Sequence, residues 1–270
     1  MIDGVLLPVD RTRAGMPAFY HALRLALNAQ VHLRMVTVDP PRSDTVWGGF
    51  PHVRDTITRW ENLDHHADTS DLQRLGLGVR KQPARGHDPV EVLAAQARPD
   101  QLMVLAPRRR SGISALLQKS VSEGLLQRSA GPCLLIPEGV PGFVDDQGAV
   151  TISRVLCPVA AKPSPEPALA LAAWLCDTLK CRDVAVDLLH VGPAEPPWPE
   201  PVPRAAVSSW NRLREAGDPA GVIVEVAART ACDLIVMVSE GRTGWLEALR
   251  GSVSERVVKS APCPVLVLHA

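Results

Sequence analysis

The sequence predicts a doubly wound α/β protein built from two similar halves. Three observations carry that prediction: continuous apolar runs such as LMVLA (102–106), amphipathic runs that alternate with them, and a long internal repeat. Runs of the first kind suit strands buried on both faces, as in a parallel sheet covered by right-handed crossovers.

In order, the first half reads as strand 4–10, helix 15–29, strand 31–38, helix 52–75, strand 77–85, helix 89–98, strand 101–106, helix 118–129 and strand 132–137. The segment 52–75 earns its helix from apolar residues at helical spacing, namely Val53, Ile57, Trp60, Leu63, Leu72 and Leu75.

The second half repeats this order. The stretch LIVMVSEGRTGWLEALRGSVSERVVKSAPCPVLVL (234–268) lies without gaps over LMVLAPRRRSGISALLQKSVSEGLLQRSAGPCLLI (102–136). SVSE (120–123) meets SVSE (252–255), Gly112 meets Gly244, and Pro132 meets Pro264. Upstream, GVLLPVD (4–10) matches RVLCPVA (154–160), and GHDPVEVLAAQAR (86–98) matches GDPAGVIVEVAAR (217–229). The spacing between matches falls along the chain, so the second copy lacks about twenty residues in its middle. Where the first half has the helix 52–75, the second has VGPAEPPWPEPVPR (191–204), whose prolines forbid a helix and favour an extended connection. Turn-rich residues mark a linker over 138–151, between a first half of 1–137 and a second of 152–270 that lacks one helix. The last strand of each copy, CLLI (133–136) and PVLVL (264–268), would leave an open apolar edge in an isolated half. The two edges are therefore expected to pair within the chain as a pseudo-two-fold dimer, with a homodimer through the remaining faces compatible with this arrangement.

Composition narrows the function classes. With 29 basic and 29 acidic residues, the chain lacks the electrostatic footprint of a nucleic-acid or anionic-membrane partner. Its longest apolar runs fall far short of a membrane span and no basic leader precedes one, so a soluble cytoplasmic protein is expected. Six scattered cysteines form no C-x-x-C pair, and Cys133 and Cys263 sit in apolar runs where cysteine acts as a small hydrophobe.

On these pieces the chain resembles the universal stress protein family: a first strand ending in Pro-x-Asp, a GDPA-type turn opening a helix, and an apolar strand running into a Gly-containing loop. The resemblance covers both halves. It implies, for each, a five-stranded, mostly parallel sheet of adenine-nucleotide α-hydrolase-like fold with flavodoxin-like layering. It also implies a G-x-x-G-x9-G-[ST] loop around ATP phosphates and an Asp after the first strand that meets the nucleoside. Here that loop becomes Val238-Ser-Glu-Gly241 through Gly251-Ser252, followed by Val253 and Ser254 and with Gly244 inside it. Glycines let backbone N–H groups approach phosphate closely, and a helix start attracts anions. Val238 replaces the first glycine, and Ala160 stands where the carboxylate is expected. The first half shows the reverse, with Asp10 present and the loop reading Ala106-Pro-Arg108-Arg109 through Lys119-Ser120.

The resulting candidate nucleotide residues are Gly241, Gly244, Gly251, Ser252, Val253, Ser254 and Asp10, for ATP with Mg2+ accompanying it. Each has a plainer alternative. Asp10 also reads as a helix cap, Lys162 as a surface lysine, and Arg108 to Arg110 as a solvated loop rather than an anion clamp. His65 and His66, beside Asp64 and Asp68, project about 100° apart on a helix and make a poor metal pair. Trp245 falls inside the phosphate loop, where it would cover or block the site. No Ser-x-x-Lys, G-x-S-x-G, H-E-x-x-H or P-loop string occurs, so no enzyme is expected, slow ATP turnover being the weaker alternative. Two functions remain open: a stress-response regulator that binds an adenine nucleotide, and a nucleotide-independent interaction protein for which both sites are lost.

Overall fold

The computed structural model describes residues 2–9, 15–39, 50–61, 74–107, 121–196, 198–239 and 253–270. The first half contributes β1 (Gly4–Pro8), α1 (Met16–Ala29), β2 (His32–Asp39), α2 (Val53–Trp60), β3 (Val79–Arg85), α3 (Pro89–Ala94), β4 (Gln101–Leu105), α4 (Val121–Arg128) and β5 (Cys133–Leu135). The second contributes β6 (Arg154–Pro158), α5 (Glu166–Thr178), β7 (Val184–Val191), β8 (Val207–Glu215), α6 (Pro219–Arg229), β9 (Leu234–Ser239), α7 (Val253–Ser260) and β10 (Val265–His269).

All ten strands join one sheet in the order β3-β2-β1-β4-β5-β10-β9-β6-β7-β8. Every pairing is parallel except the central one, where β5 runs antiparallel to β10 with Leu134 opposite Leu266. The apolar edges of the two copies thus satisfy each other's backbone groups, as their exposure in an isolated half would require.

Successive residues of a central strand serve opposite faces. Val5 and Leu7 join the core under α1, α2 and α5, while Leu6 faces α3, α4, α6 and α7. Both cores run through the join, because Leu134 and Leu266 lie on one side and Leu135 and Val265 on the other, all nearly inaccessible.

Helix ends follow their local chemistry. Asp88 accepts from the Val90 N–H (2.8 Å) and Asp218 from the Gly221 N–H (3.0 Å), each followed by a proline whose missing donor costs nothing in the first turn. α1 stops at Gln30, whose left-handed φ of 55° turns the Val31 N–H back to the Ala26 carbonyl. α5 ends the same way, with Lys180 at φ 58° and the Cys181 N–H bonded to Cys176 O.

Across the pseudo-two-fold, the SVSE glutamates meet the opposite helix. Glu123 of α4 lies 3.4 Å from the Lys259 ammonium of α7, and Glu255 of α7 accepts from Gln127 of α4 (2.6 Å). This is the self-complementary contact that a two-fold imposes. On the other face, Asn28 at the end of α1 donates to Thr178 O at the end of α5 (3.1 Å).

Two expectations change. The helix foreseen over 52–75 ends at Trp60, where Trp60 Nε1 and Arg59 both donate to the Asp146 carbonyl; residues 62–73 lie outside the described residues. The helix foreseen over 89–98 ends at Ala94, and the residues to 98 form turns. In the turn-rich stretch 138–151, Phe143 and Val144 are buried and Val144 bridges Val150. Its anchor is His21 of α1, fully buried, whose Nε2 accepts from the Phe143 and Val144 N–H groups (2.9 and 3.1 Å) while Nδ1 donates to Pro17 O. Burial pulls the His21 pKa down to about 4.

Between β7 and β8 the described residues hold no helix. The proline-rich stretch covers the sheet instead, with Trp198 against the core, an edge contact to His190 (6.5 Å) and the Arg212 guanidinium over its ring (5.7 Å).

Candidate functional site

In each half the strand order reverses direction beside the first strand, between β1 and β4 and between β6 and β9. The connections after those two strands leave to opposite faces of the sheet, which opens a crevice at their carboxyl ends. In the second half that crevice is a cleft of about 300 Å³, at the lower end of the range for small-molecule sites.

Its walls come from five elements. Val159 and Ala160 follow β6, Leu189 and Val191 end β7, Met237 to Ser239 end β9, Pro219 and Ile223 open α6, and Val253 and Ser254 open α7. The end of β6 is fixed by the Val159 N–H to Leu189 O (2.8 Å) and by His190 Nδ1 on Val159 O (3.0 Å). The walls are mainly aliphatic, with polar groups confined to a few points. The hydroxyls of Ser239 and Ser254 meet at 3.0 Å, and Ser254 is buried. Lys162, exposed on the β6–α5 connection, carries the one ionisable side chain among the described residues of the lining, and no carboxylate joins it. The arrangement favours an anion with an apolar or aromatic body, because the walls remove the body from water while the ammonium and hydroxyls meet the charge.

Of the residues singled out from the sequence, Val253 and Ser254 lie at this cleft, together with Lys162, Ala160 and Val238. Gly241, Gly244, Gly251, Ser252 and Trp245 lie outside the described residues, as do Asp10, Arg108 to Arg110, His65 and His66. Val238 is extended and paired with Leu268 inside β9, so a β-branched side chain suits its place and no positive φ is asked of it. Ser239 was missed by sequence reasoning. Its only signal was its place one residue after Val238 at the end of an apolar strand. No group of three or more His, Cys, Asp or Glu that would hold a metal ion occurs among the described residues.

The cap of α6, Asp218, lies outside the lining, next in sequence to Pro219. Arg256 of α7 grips the Asp218 carboxylate through two bonds (2.9 and 2.6 Å), which holds the Asp218 pKa below the usual carboxylate range. α6 and α7 are thereby tied together on the side where both open towards the cleft.

Comparison with known proteins gives a consistent answer. The sequence profile described as "Universal stress protein family" matches residues 1–137 and 200–269. A universal stress protein of Mycolicibacterium smegmatis is 27% identical over 98% of the chain and 97% of its own length. Universal stress protein MJ0531 of Methanocaldococcus jannaschii is 56% identical over 52 residues, which are 19% of this chain and 31% of that relative. Among solved structures, a universal stress protein from Archaeoglobus fulgidus superposes with a TM-score of 0.62 at 20% identity, covering 99% of this chain and 97% of that one. A Pseudomonas aeruginosa protein described as a putative universal stress protein reaches 0.66 at 16% identity, covering 99% and 93%. The two structural likenesses speak for the fold.

Proposed function

The chain belongs to the universal stress protein family, and we propose that it is a stress-response regulator whose second half takes ATP or a related adenine nucleotide in the cleft between β6 and β9. The observation that carries this reading is the cleft itself, which lies at the carboxyl ends of the strands where the order reverses. Its aliphatic walls suit a base, while Ser239, Ser254 and Lys162 suit sugar and phosphate oxygens. Mg2+ enters this reading only on the nucleotide's phosphates, because the described lining offers it no carboxylate. Binding acts by biasing the α6 and α7 openings around the cleft, and through them a partner surface. No catalytic step is proposed; absence of phosphate release over hours with ATP and Mg2+ is the expected result. The reading includes a cytoplasmic location, which six free thiols support; among the described residues no helix is long and apolar enough to cross a membrane.

Titration calorimetry of the nucleotide-stripped protein with ATP, ADP and AMP tests it. Saturable heat that weakens on Ser254→Ala or Lys162→Glu supports the reading. No heat at high micromolar nucleotide overturns it and favours the second reading, a nucleotide-independent interaction protein. Ala160 motivates that alternative, since it leaves the end of β6 without a carboxylate for a sugar hydroxyl.

A further inference from the structure

Five of the six cysteines lie in the second half. Four of them stand in two close pairs around the amino ends of the strands. Cys232 and Cys263, just before β9 and β10, bring their sulfurs to 3.8 Å, and both are buried. Cys176 and Cys181 bracket the end of α5, where Lys180 turns left-handed and the Cys181 N–H returns to Cys176 O at 2.9 Å. This helix-ending turn places residues five apart against each other, and an apolar contact ordinarily fills the position. The first half shows that filling, with Ala26 and Val31 in the matching turn and the same backbone bond at 3.0 Å. The turn therefore needs no sulfur. In the second half it holds two sulfurs, one buried and one reached by solvent.

We propose that Cys181 and Cys176 form a reactive dithiol for hydroperoxides, Cys181 attacking the peroxide and Cys176 closing a reversible disulfide with it. The Cys181 thiolate forms an S–O bond to one peroxide oxygen as the O–O bond breaks, and the departing oxygen takes a proton from solvent. The Cys176 sulfur then displaces hydroxide from the Cys181 sulfenic acid, and that hydroxide leaves as water with the Cys176 proton. The dithiol gives up two electrons, and hydrogen peroxide ends as two waters. A thiol reductant restores the pair by exchange.

The two roles follow from the surroundings. The neighbouring Cys176 thiol lowers the Cys181 pKa, while Cys181 together with burial raises that of Cys176. The attacking thiolate thus forms on the accessible sulfur, with the resolving cysteine held across the same turn by the 2.9 Å backbone bond. The other pair is built for inertness. Cys232 points its thiol at Leu234 O (3.0 Å), and the hydrogen bond to Cys232 together with burial pushes Cys263 up. Burial likewise raises Cys157. Thr178 lies between the two reactive cysteines, and its carbonyl accepts from Asn28 of the first half, so a disulfide here would re-form the turn through which the two halves touch on that face.

The test treats the reduced full chain with one equivalent of hydrogen peroxide and digests it with trypsin without reductant. Cleavage after Lys180 separates the two cysteines, so the expected product is the 155–180 peptide disulfide-linked to 181–182. Because Cys157 shares the longer peptide, Cys157→Ala should keep the link and Cys176→Ala should abolish it. In Cys176→Ala, which restores the alanine of the first half's turn, the Cys181 sulfenic acid should accumulate and be trapped by dimedone. Iodoacetamide should alkylate Cys181 in the native reduced protein roughly tenfold faster than any other cysteine. A first disulfide between Cys232 and Cys263, or a Cys181 that reacts only after unfolding, would overturn the proposal.

Discussion

The two halves share a skeleton and differ in the charges, cover and thiols it carries. At the amino pole, the third residue of β2 is Arg34, while its counterpart on β7 is Asp187; each lies opposite the third residue of its neighbouring first strand, Leu6 or Leu156. Arg34 donates to the Gln96 carbonyl and to Gln101 (3.3 Å), and burial lowers its pKa. Asp187, 2% exposed, is held by Arg154 and Asn211, each at 2.8 Å. One interior position has thus carried opposite charges in the two copies, each with partners supplied by neighbouring strands or by the turn after α3. The same holds for cover and for thiols. A helix shields β2 and β3 where a proline-rich strap shields β7 and β8, and Ala26 and Val31 stand where Cys176 and Cys181 do. Backbone geometry tolerates these exchanges because strand pairing and helix caps do not depend on them.

The join should be the most sensitive shared feature. Leu266→Asp places a charge at a position of 0% exposure between the halves and should cost about 4 kcal/mol or more, read by urea unfolding followed by circular dichroism. The same change at Val121, 42% exposed at the start of α4, should cost under about 0.5 kcal/mol. Equal costs would mean that the two halves do not share a core.

Next comes a pH response centred on His21 in the first half, to which the half-buried His269 of β10, its pKa also lowered by burial, adds in the second. His21 is neutral when folded, with a pKa of about 4 against about 6.5 when unfolded, so the unfolded chain binds the extra proton first as pH falls. Stability present above about pH 6.5 should decline towards pH 4 by on the order of 3 kcal/mol. The second half has Leu171 at the matching position. His21→Leu should accordingly flatten this decline while lowering stability at pH 7, because the Phe143 and Val144 N–H groups lose their acceptor. An unchanged slope would assign the response elsewhere.

Arg154→Met should cost about 2 kcal/mol, less than for a fully buried pair because Arg154 is itself 38% exposed. A smaller effect belongs to the surface ion pair of the two-fold. Lys259→Met should cost under about 1 kcal/mol, measured as a shift in the urea midpoint.

Much of this was legible in the sequence. Apolar runs such as LMVLA located strands, and the matched SVSE segments exposed the duplication. The unsatisfied edges of CLLI and PVLVL foretold their union. What stayed hidden depended on contacts that no spacing encodes. His21 reads as one histidine on an apolar helix face, and nothing local says that two N–H groups more than 120 residues away will settle on it. Cys176 and Cys181 escape a search for C-x-x-C, because a left-handed residue between them, not helical periodicity, brings them together. For the cleft, Val253 and Ser254 were read from the loop pattern, but Ser239 becomes visible only once β9 stands beside α7.

The antiparallel seam at the centre of the sheet also sets a schedule for biosynthesis. β5 finds its partner about 130 residues later in the chain, and ribosomes add about 5–20 residues per second. For on the order of ten seconds, then, the nascent first half presents Cys133 to Leu135 as an open strand edge. That interval is when a neighbouring nascent chain could take the place of β10, so slowing translation of the second half should raise the yield of strand-swapped oligomers.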